Sequence, residues 1–243
     1  MLAVSQKSFI EKDCNFAIED EKEMVLIGYL AFLDPPKPSA VEAIEQLYAH
    51  GVAVKILSGD NDIVVKAIAR QVGIDTSHFL TGIEIENMDE TALKEAVKDT
   101  TLFSKLTPLQ KTQIISLLQE QGNTVGFLGD GINDAPALVQ ADVGVAIGSG
   151  SDIALDSSDI VLMKSNLQDV YKAIRLSKAT IRNIKQNLFW AFFYNACGLP
   201  LAAGALYAIN GTLLNPIFAG LAMSLSSVCV VGNALRLKTT KLD

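Results

Sequence analysis

The chain has 243 residues, enough for one α/β domain of ordinary size with roughly 80 residues to spare. Acidic residues outnumber basic ones by 27 to 20, a formal charge of -7, which argues against a nucleic-acid partner. Apolar residues make up 49% of the chain but are unevenly spread: charges recur every few residues up to Arg182, then nearly vanish between Lys185 and Arg236.

In chain order, Ser39 is placed to cap a helix from Ala40 to Ala49, closed by Gly51. Val52-Ala53-Val54-Lys55-Ile56-Leu57 is a short run rich in β-branched residues, as a buried parallel strand requires. A helix from Asn61 to Val72 stops at Gly73, and Pro108 opens another that runs to Gly122. Thr124–Leu128, Val143–Ile147 and Asp159–Met163 read as further strands. Strand, helix, strand at this spacing predicts an α/β fold: a parallel, doubly wound sheet with right-handed crossovers.

Ligands of such sheets sit at the carboxyl ends of the strands. Two polar clusters fall there: Ser58-Gly59-Asp60, and Gly129-Asp130-Gly131-Ile132-Asn133-Asp134. Small residues let backbone N–H groups approach an anion, and carboxylates supply hard oxygen ligands for Mg²⁺. Taken alone, Ser58-Gly59-Asp60 is equally an ordinary turn. The second cluster is not, because a simple turn does not require two aspartates and an asparagine between glycines. Together they predict a phosphate and Mg²⁺ site.

Leu188–Ile209 and Leu213–Leu235 are each about 22 residues and almost uncharged, long enough to span a bilayer. The connector Asn210-Gly211-Thr212 forces an antiparallel hairpin. Lys178, Arg182 and Lys185 flank one end and Arg236, Lys238 and Lys241 the other, which places both ends and the soluble part in the cytoplasm. Trp190 and Tyr207 stand near opposite ends of the first span, as interfacial aromatics do. The competing reading is a hydrophobic hairpin buried in a soluble domain. Tyr194-Asn195 and Met223-Ser224-Leu225-Ser226-Ser227 lie inside the spans, where polar groups serve either function or close helix packing. Cys14, Cys197 and Cys229 form no close pair, so neither a disulfide framework nor a zinc site is expected, and all three read as small apolar residues. The opening Met1-Leu2-Ala3-Val4 is too short and too polar in context for a targeting segment.

Gly129-Asp130-Gly131-Ile132-Asn133-Asp134-Ala135-Pro136 resembles the hinge signature of P-type cation-transporting ATPases, which are haloacid dehalogenase-like phosphotransferases. Asp34-Pro35-Pro36-Lys37 is similar to that family's other hinge element, and Ser58-Gly59-Asp60-Asn61 to its Thr-Gly-Asp turn, with serine keeping the hydroxyl donor. Lys111, after Thr107-Pro108-Leu109-Gln110, matches the lysine that neutralises the transferred phosphoryl group. The resemblance implies that Asp130 ligates the catalytic Mg²⁺ and that Asn133 and Ser58 hydrogen-bond phosphoryl oxygens. Lys111 would supply positive charge, and Asp134 would hold the loop or a metal-bound water. Gly59 and Asp60 complete the phosphate turn. ATP would be bound through a nucleotide-binding domain of which residues 1–33, with an exit strand near Met24 to Phe32, are the remnant. Residues 34–175 would then form the phosphorylation domain and 176–243 a linker helix with the hairpin.

The sequence departs from the family in one decisive respect: it holds no Asp-Lys-Thr-Gly-Thr motif, the one that carries the phosphorylated aspartate, and no Thr-Gly-Glu loop. Without a nucleophile no covalent phosphoenzyme forms, so the chain reads as an incomplete enzyme that is inactive alone. Tyr194-Asn195 with Met223-x-x-Ser226-Ser227 resembles the paired motifs of copper-transporting members. There Tyr194, Asn195, Met223 and Ser227 would face the transported ion, and a thioether suits Cu(I). Phe32 to Gly129 is similar instead to magnesium-transporting members, whereas the chain after Ala141 is copper-like. This implies either a hybrid reading frame, joined near 129–136 and truncated at its N-terminus, or one subfamily that mixes both features. A copper-type pump is the leading reading, with a magnesium-type pump as its rival. The third reading is a non-catalytic membrane module that binds phosphate or Mg²⁺, or else a partner of a separately encoded N-terminal half.

Overall fold

A computed structural model describes residues 2–8, 21–30, 38–164, 166–205, 207, 211 and 216–240. The chain divides into two compact units, Met1–Lys37 and Pro38–Asp243. In the first, β1 (Leu2–Gln6) pairs antiparallel with β2 (Val25–Leu30), with an irregular register between Val4 and Ser5. The strand expected near Met24 to Phe32 is thus present at its described residues. Asp34-Pro35-Pro36-Lys37 and Cys14 lie outside the described residues.

The second unit opens with α1 (Pro38–Ala49). This helix starts before Ser39 because the fixed φ of proline suits a first turn, so Ser39 lies inside it. Gly51, at φ +76°, ends it. β3 is only Ile56–Leu57, shorter than the expected 52–57, because the Val52 amide closes the end of α1 on the Leu47 carbonyl at 3.0 Å. α2 (Asp62–Gln71) is capped by Asn61, whose side chain accepts from the Val64 amide at 3.0 Å. A stretch that the sequence pattern did not resolve supplies β4 (Phe79–Thr81), α3 (Gly82–Glu86), α4 (Glu90–Asp99) and β5 (Leu102–Ser104). α5 (Pro108–Glu120) begins at the expected proline, behind a capping box between Thr107 and Gln110. Then come β6 (Gly126–Gly129), a 3₁₀ turn (Ile132–Asp134), α6 (Ala135–Gln140), β7 (Val143–Ile147), α7 (Asp152–Asp156) and β8 (Ile160–Leu162).

Every strand pair in this unit is parallel, as the α/β reading requires. The strands form two half-sheets rather than one sheet, in the orders β3-β5-β4 and β6-β7-β8. β5 is wholly buried and sends successive side chains to opposite faces. Leu102 packs with Ile44, Ala69, Val72 and Ile74, and Phe103 with Ile85, Leu93, Val97 and Ile114. Lys55 closes the end of α4, donating to the carbonyls of Val97, Lys98 and Thr100 at 3.0, 2.9 and 2.6 Å. Burial pushes its pKa below the usual lysine range, against the pull of Asp99.

α8 runs unbroken over Gln168–Ala202, from a charged half into an apolar one, and α9 covers Pro216–Leu235. A ring of asparagines joins them. Asn183 Nδ2 donates to the Asn233 carbonyl at 2.7 Å, Asn233 Nδ2 to Asn187 Oδ1 at 2.8 Å, and Asn187 Nδ2 to Asn183 Oδ1 at 3.2 Å. Among the described residues, no helix is long and apolar enough to cross a membrane. The expected hairpin is therefore not carried by the structure. The first apolar stretch is the tail of a helix with a charged first half, and the expected spans 188–209 and 213–235 both reach past the described residues.

Because Phe103 is fully buried at the centre of the first half-sheet, Phe103→Ala should cost about 3–5 kcal/mol. Leu109→Ala, at a residue 79% exposed, should stay within about 0.5 kcal/mol. Urea unfolding followed by far-ultraviolet circular dichroism measures both.

Candidate functional site

The carboxyl ends of β3 and β6 open onto one cavity of about 480 Å³. Its walls include Ser58, Gly59 and Asp60 from the first half-sheet, Lys111 from α5, and Asp130, Asn133 and Asp134 from the loop after β6. All seven site residues expected in the soluble part therefore line a single concavity, although more than seventy positions separate the first from the last.

The turn after β3 is built from its own side chains. Ser58 Oγ donates to Asp60 Oδ2 at 3.1 Å and accepts from the Asp60 amide at 3.1 Å. The next strand fixes its backbone: Ser58 N–H donates to the Phe103 carbonyl at 3.0 Å, Leu106 N–H to the Ser58 carbonyl at 3.0 Å, and Lys105 N–H to the Asp60 carbonyl at 2.8 Å. Lys105 takes φ +50° to make that bond, and its ammonium stands 3.3 Å from Asp62. The Asp62 carboxyl is held below its ordinary pKa, first by its own backbone amide at the start of α2 and then by Lys105.

The second cluster is held by Asp134. Its Oδ1 accepts from Lys111 Nζ at 2.7 Å and its Oδ2 from the Gly131 amide at 3.2 Å. Both side chains of the ion pair are nearly covered, at 12% and 15% exposure. Gly129 makes room for this arrangement, since a Cβ there would lie 2.6 Å from the Asp134 Cβ. Asp134 thus links α5 to the backbone of the loop after β6. The Asp130 carboxylate is exposed and takes no hydrogen bond or ion pair among the described residues.

That difference decides how a divalent cation fits. Mg²⁺ is commonly held by one or two carboxylates, with water and phosphate oxygens filling its other positions. An exposed Asp130 that lines the same cavity as Ser58 and Asn133 is compatible with that demand. Among the described residues no group of three His, Cys, Asp or Glu could hold a metal by itself. The donor set suits a metal that arrives with a phosphate.

The sequence reading missed the loop between β7 and α7. Ser151 N–H donates to the Asp130 carbonyl at 2.8 Å, and a Cβ at Gly150 would meet that same carbonyl at 2.8 Å. The spacing Gly148-Ser149-Gly150-Ser151 was the available signal: small residues directly after a strand, where ligands of such sheets bind.

On the apolar helices, the described candidates make local contacts. Tyr194 packs against Trp190 with ring centroids 6.0 Å apart, and Asn195 Nδ2 donates to the Ala191 carbonyl at 2.9 Å. Ser227 is exposed on α9, and the Met223 side chain lies outside the described residues.

Residues 6–142 match the haloacid dehalogenase-like hydrolase family. The chain is 48% identical over 214 residues to Copper-transporting ATPase 1 of Rhizobium meliloti (strain 1021), covering 88% of this chain and 23% of that protein. It is 42% identical to the Copper-exporting P-type ATPase of Staphylococcus aureus (strain MW2), over 99% of this chain and 27% of that protein. Among solved structures it is similar to a zinc-transporting PIB-type ATPase in the E2.Pi state. The TM-score is 0.65 and the identity 31%, over 88% of this chain and 29% of that one. The chain thus spans about a quarter of the length of the curated relatives it matches.

Gly129→Ala should displace Asp134 from Lys111 and cost about 1–3 kcal/mol. Gly126→Ala, whose Cβ would meet only the Val143 carbonyl at 3.8 Å, should be nearly silent by comparison. Paired urea melts and the amide chemical shift of Gly131 read the difference.

Proposed function

The chain belongs to the haloacid dehalogenase-like hydrolases, and from that premise we propose that it is the phosphoryl-handling C-terminal portion of an ATP-driven copper-translocating P-type ATPase. The observation that carries this reading is the convergence of Ser58, Lys111, Asp130 and Asn133 on one cavity. Asn133 donates to phosphoryl oxygens there, Ser58 does so once its hydroxyl turns from Asp60 to the phosphate, and Lys111 offsets negative charge as it develops. Asp130 would hold Mg²⁺, which would supply positive charge to a bound phosphate. Asp134 holds the Lys111 ammonium at 2.7 Å in the wall of the cavity.

Copper is favoured as the cargo by the relatives' names and by their reach. Copper-transporting proteins align with almost the whole chain, including the stretch read as similar to magnesium-transporting members. Tyr194, Asn195, Met223 and Ser227 remain the candidates to face that ion, as part of a site completed by other segments.

The membrane hairpin is also part of the proposal, and its support is chemical. Residues 188–202 and the whole of α9 carry no Asp, Glu, Lys or Arg. Phe189, Phe192, Leu225 and Val228 are each at least 60% exposed, an apolar surface that water penalises and lipid does not. Lys178, Arg182, Lys185, Arg236 and Lys238 flank it and set both ends on the cytoplasmic side. Residues 34–175 then act as the phosphorylation domain and 176–243 as linker and hairpin. ATP is bound by a nucleotide domain of which residues 1–33 are a part. These 243 residues hold no Asp-Lys-Thr-Gly-Thr segment, so the nucleophile comes from a segment outside them.

Titration calorimetry of the purified chain with Mg²⁺ in the presence of inorganic phosphate should show binding. Asp130→Asn should weaken it by about tenfold or more, the loss of a charged metal ligand. Unchanged affinity in Asp130→Asn would remove the Mg²⁺ assignment. Separately, membranes from cells expressing the chain should retain it through an alkaline carbonate wash, and its release into the supernatant would contradict the hairpin.

A further inference from the structure

The boundary between the charged and apolar halves of α8 holds a second concavity, of about 530 Å³. Its walls include Lys178, Ile181, Arg182, Lys185, Phe189 and Trp190, all from that one helix. At 3.6 residues per turn, Lys178, Arg182, Lys185 and Phe189 follow one another by four, three and four positions, so they form one stripe along the helix. Asn183 and Asn187, which bond to Asn233 of α9, fall on the other side. The stripe therefore faces away from α9.

Two features separate this stripe from an ordinary solvated helix face. The first is its charge. Lys178, Arg182 and Lys185 are exposed and make no ion pair among the described residues. No Asp or Glu occurs from Val170 to Leu242 to supply a nearby partner, whereas solvated helices ordinarily intersperse both signs. The second feature lies one turn beyond Lys185. Phe189 and Trp190 are 60% and 49% exposed and meet edge to face, with centroids 5.5 Å apart. Unpaired cations that give way within a turn to bare aromatic rings complement a molecule with an anion at one end and hydrocarbon at the other.

We propose that this stripe is a binding site for one anionic phospholipid. Arg182 receives the phosphate, Lys178 and Lys185 flank it, and the acyl chains run along Phe189 and Trp190. A guanidinium presents paired N–H donors that fit two phosphate oxygens at once, and the lysines beside it act as point charges. Trp190 suits the level between them, with an apolar ring for the chains and an indole N–H for the headgroup. Spacing agrees: at 1.5 Å per residue, Arg182 stands about 10 Å along the helix from Phe189, enough to cross a headgroup layer of about 5–8 Å. The missing carboxylate sets selectivity. The ammonium of a zwitterionic headgroup would meet three like charges here and no counter-ion, and a headgroup with net negative charge avoids that repulsion. The inference rests on the hairpin reading, which puts the apolar half of α8 in a bilayer.

Trp190 is the single tryptophan of the chain, so its fluorescence reports on the site. The test places the full chain in phosphatidylcholine nanodiscs doped with phosphatidylglycerol brominated on its acyl chains, or with equally brominated phosphatidylcholine. Bromine quenches indole fluorescence on contact. At equal mole fraction the phosphatidylglycerol should be enriched about fivefold at Trp190, the scale of one basic residue facing an anionic headgroup. Arg182→Gln should bring the two lipids close to parity. Lys238→Gln, which removes the same charge outside the cavity, should keep the preference. Equal quenching by both lipids in the unaltered chain overturns the headgroup site and leaves the hairpin standing. Quenching by neither overturns both. A preference kept in Arg182→Gln, or lost equally in Lys238→Gln, would reflect general surface charge and overturns the site. Loss of the preference on adding millimolar inorganic phosphate would assign the cations to a soluble anion and overturns it as well.

Discussion

The ion pair between Lys111 and Asp134 is the contact on which the site depends, because it ties one half-sheet to the other. Lys111 stands on α5, whose apolar side packs into the core around β5, and Asp134 closes the loop after β6. At 2.7 Å, with both side chains nearly covered, the pair is screened less than a surface bridge would be. Removing either member would leave the other charge half-buried and unpaired, the costly outcome for such pairs. The pair also fixes the division of labour between two neighbouring aspartates. Asp134 spends both oxygens on the protein, and Asp130 keeps both for a ligand.

Everything else around the cavity serves that division. Gly129 admits the Asp134 side chain, the Gly131 amide holds its second oxygen, and the loop at Gly150–Ser151 grips the Asp130 backbone so that only its carboxylate is free. On the opposite wall the Ser58 turn is braced through β5 and Lys105, with Lys105 accepting an uncommon backbone angle to do so. The result is a rigid rim of donors and one unspent carboxylate around a space between the two half-sheets. Such a rim suits a reaction that needs positioning and charge stabilisation more than protein acid–base chemistry, which is the demand of phosphoryl transfer.

The sequence was most readable where a residue type has one job. Pro108 marked the start of α5, Gly51 and Gly73 marked helix ends with positive φ, and Ser58-Gly59-Asp60 and Gly129–Asp134 sat at strand ends as supposed. It was least readable from Phe79 to Ser104, where strands of three residues are too short to show a period and two brief helices intervene. Ser39 misled because proline outcompetes a cap when it can occupy the first turn itself. The length of α8 was hidden for a different reason: its hydropathy changes sharply near Leu188 while its backbone does not. The asparagine ring of Asn183, Asn187 and Asn233 was invisible altogether, since it depends on which turns of two separate helices face each other.

The central claim is that one cavity, framed by two half-sheets, receives a phosphoryl group and its cation. A crystal structure of the chain grown with Mg²⁺ and tungstate, a heavy phosphate surrogate located by its anomalous signal, tests this most directly. The account predicts tungstate within hydrogen-bonding distance of Ser58 and Lys111, with Mg²⁺ on Asp130 and the Lys111–Asp134 pair intact. Tungstate bound elsewhere, or Mg²⁺ that displaces Lys111 to reach Asp134, would contradict it.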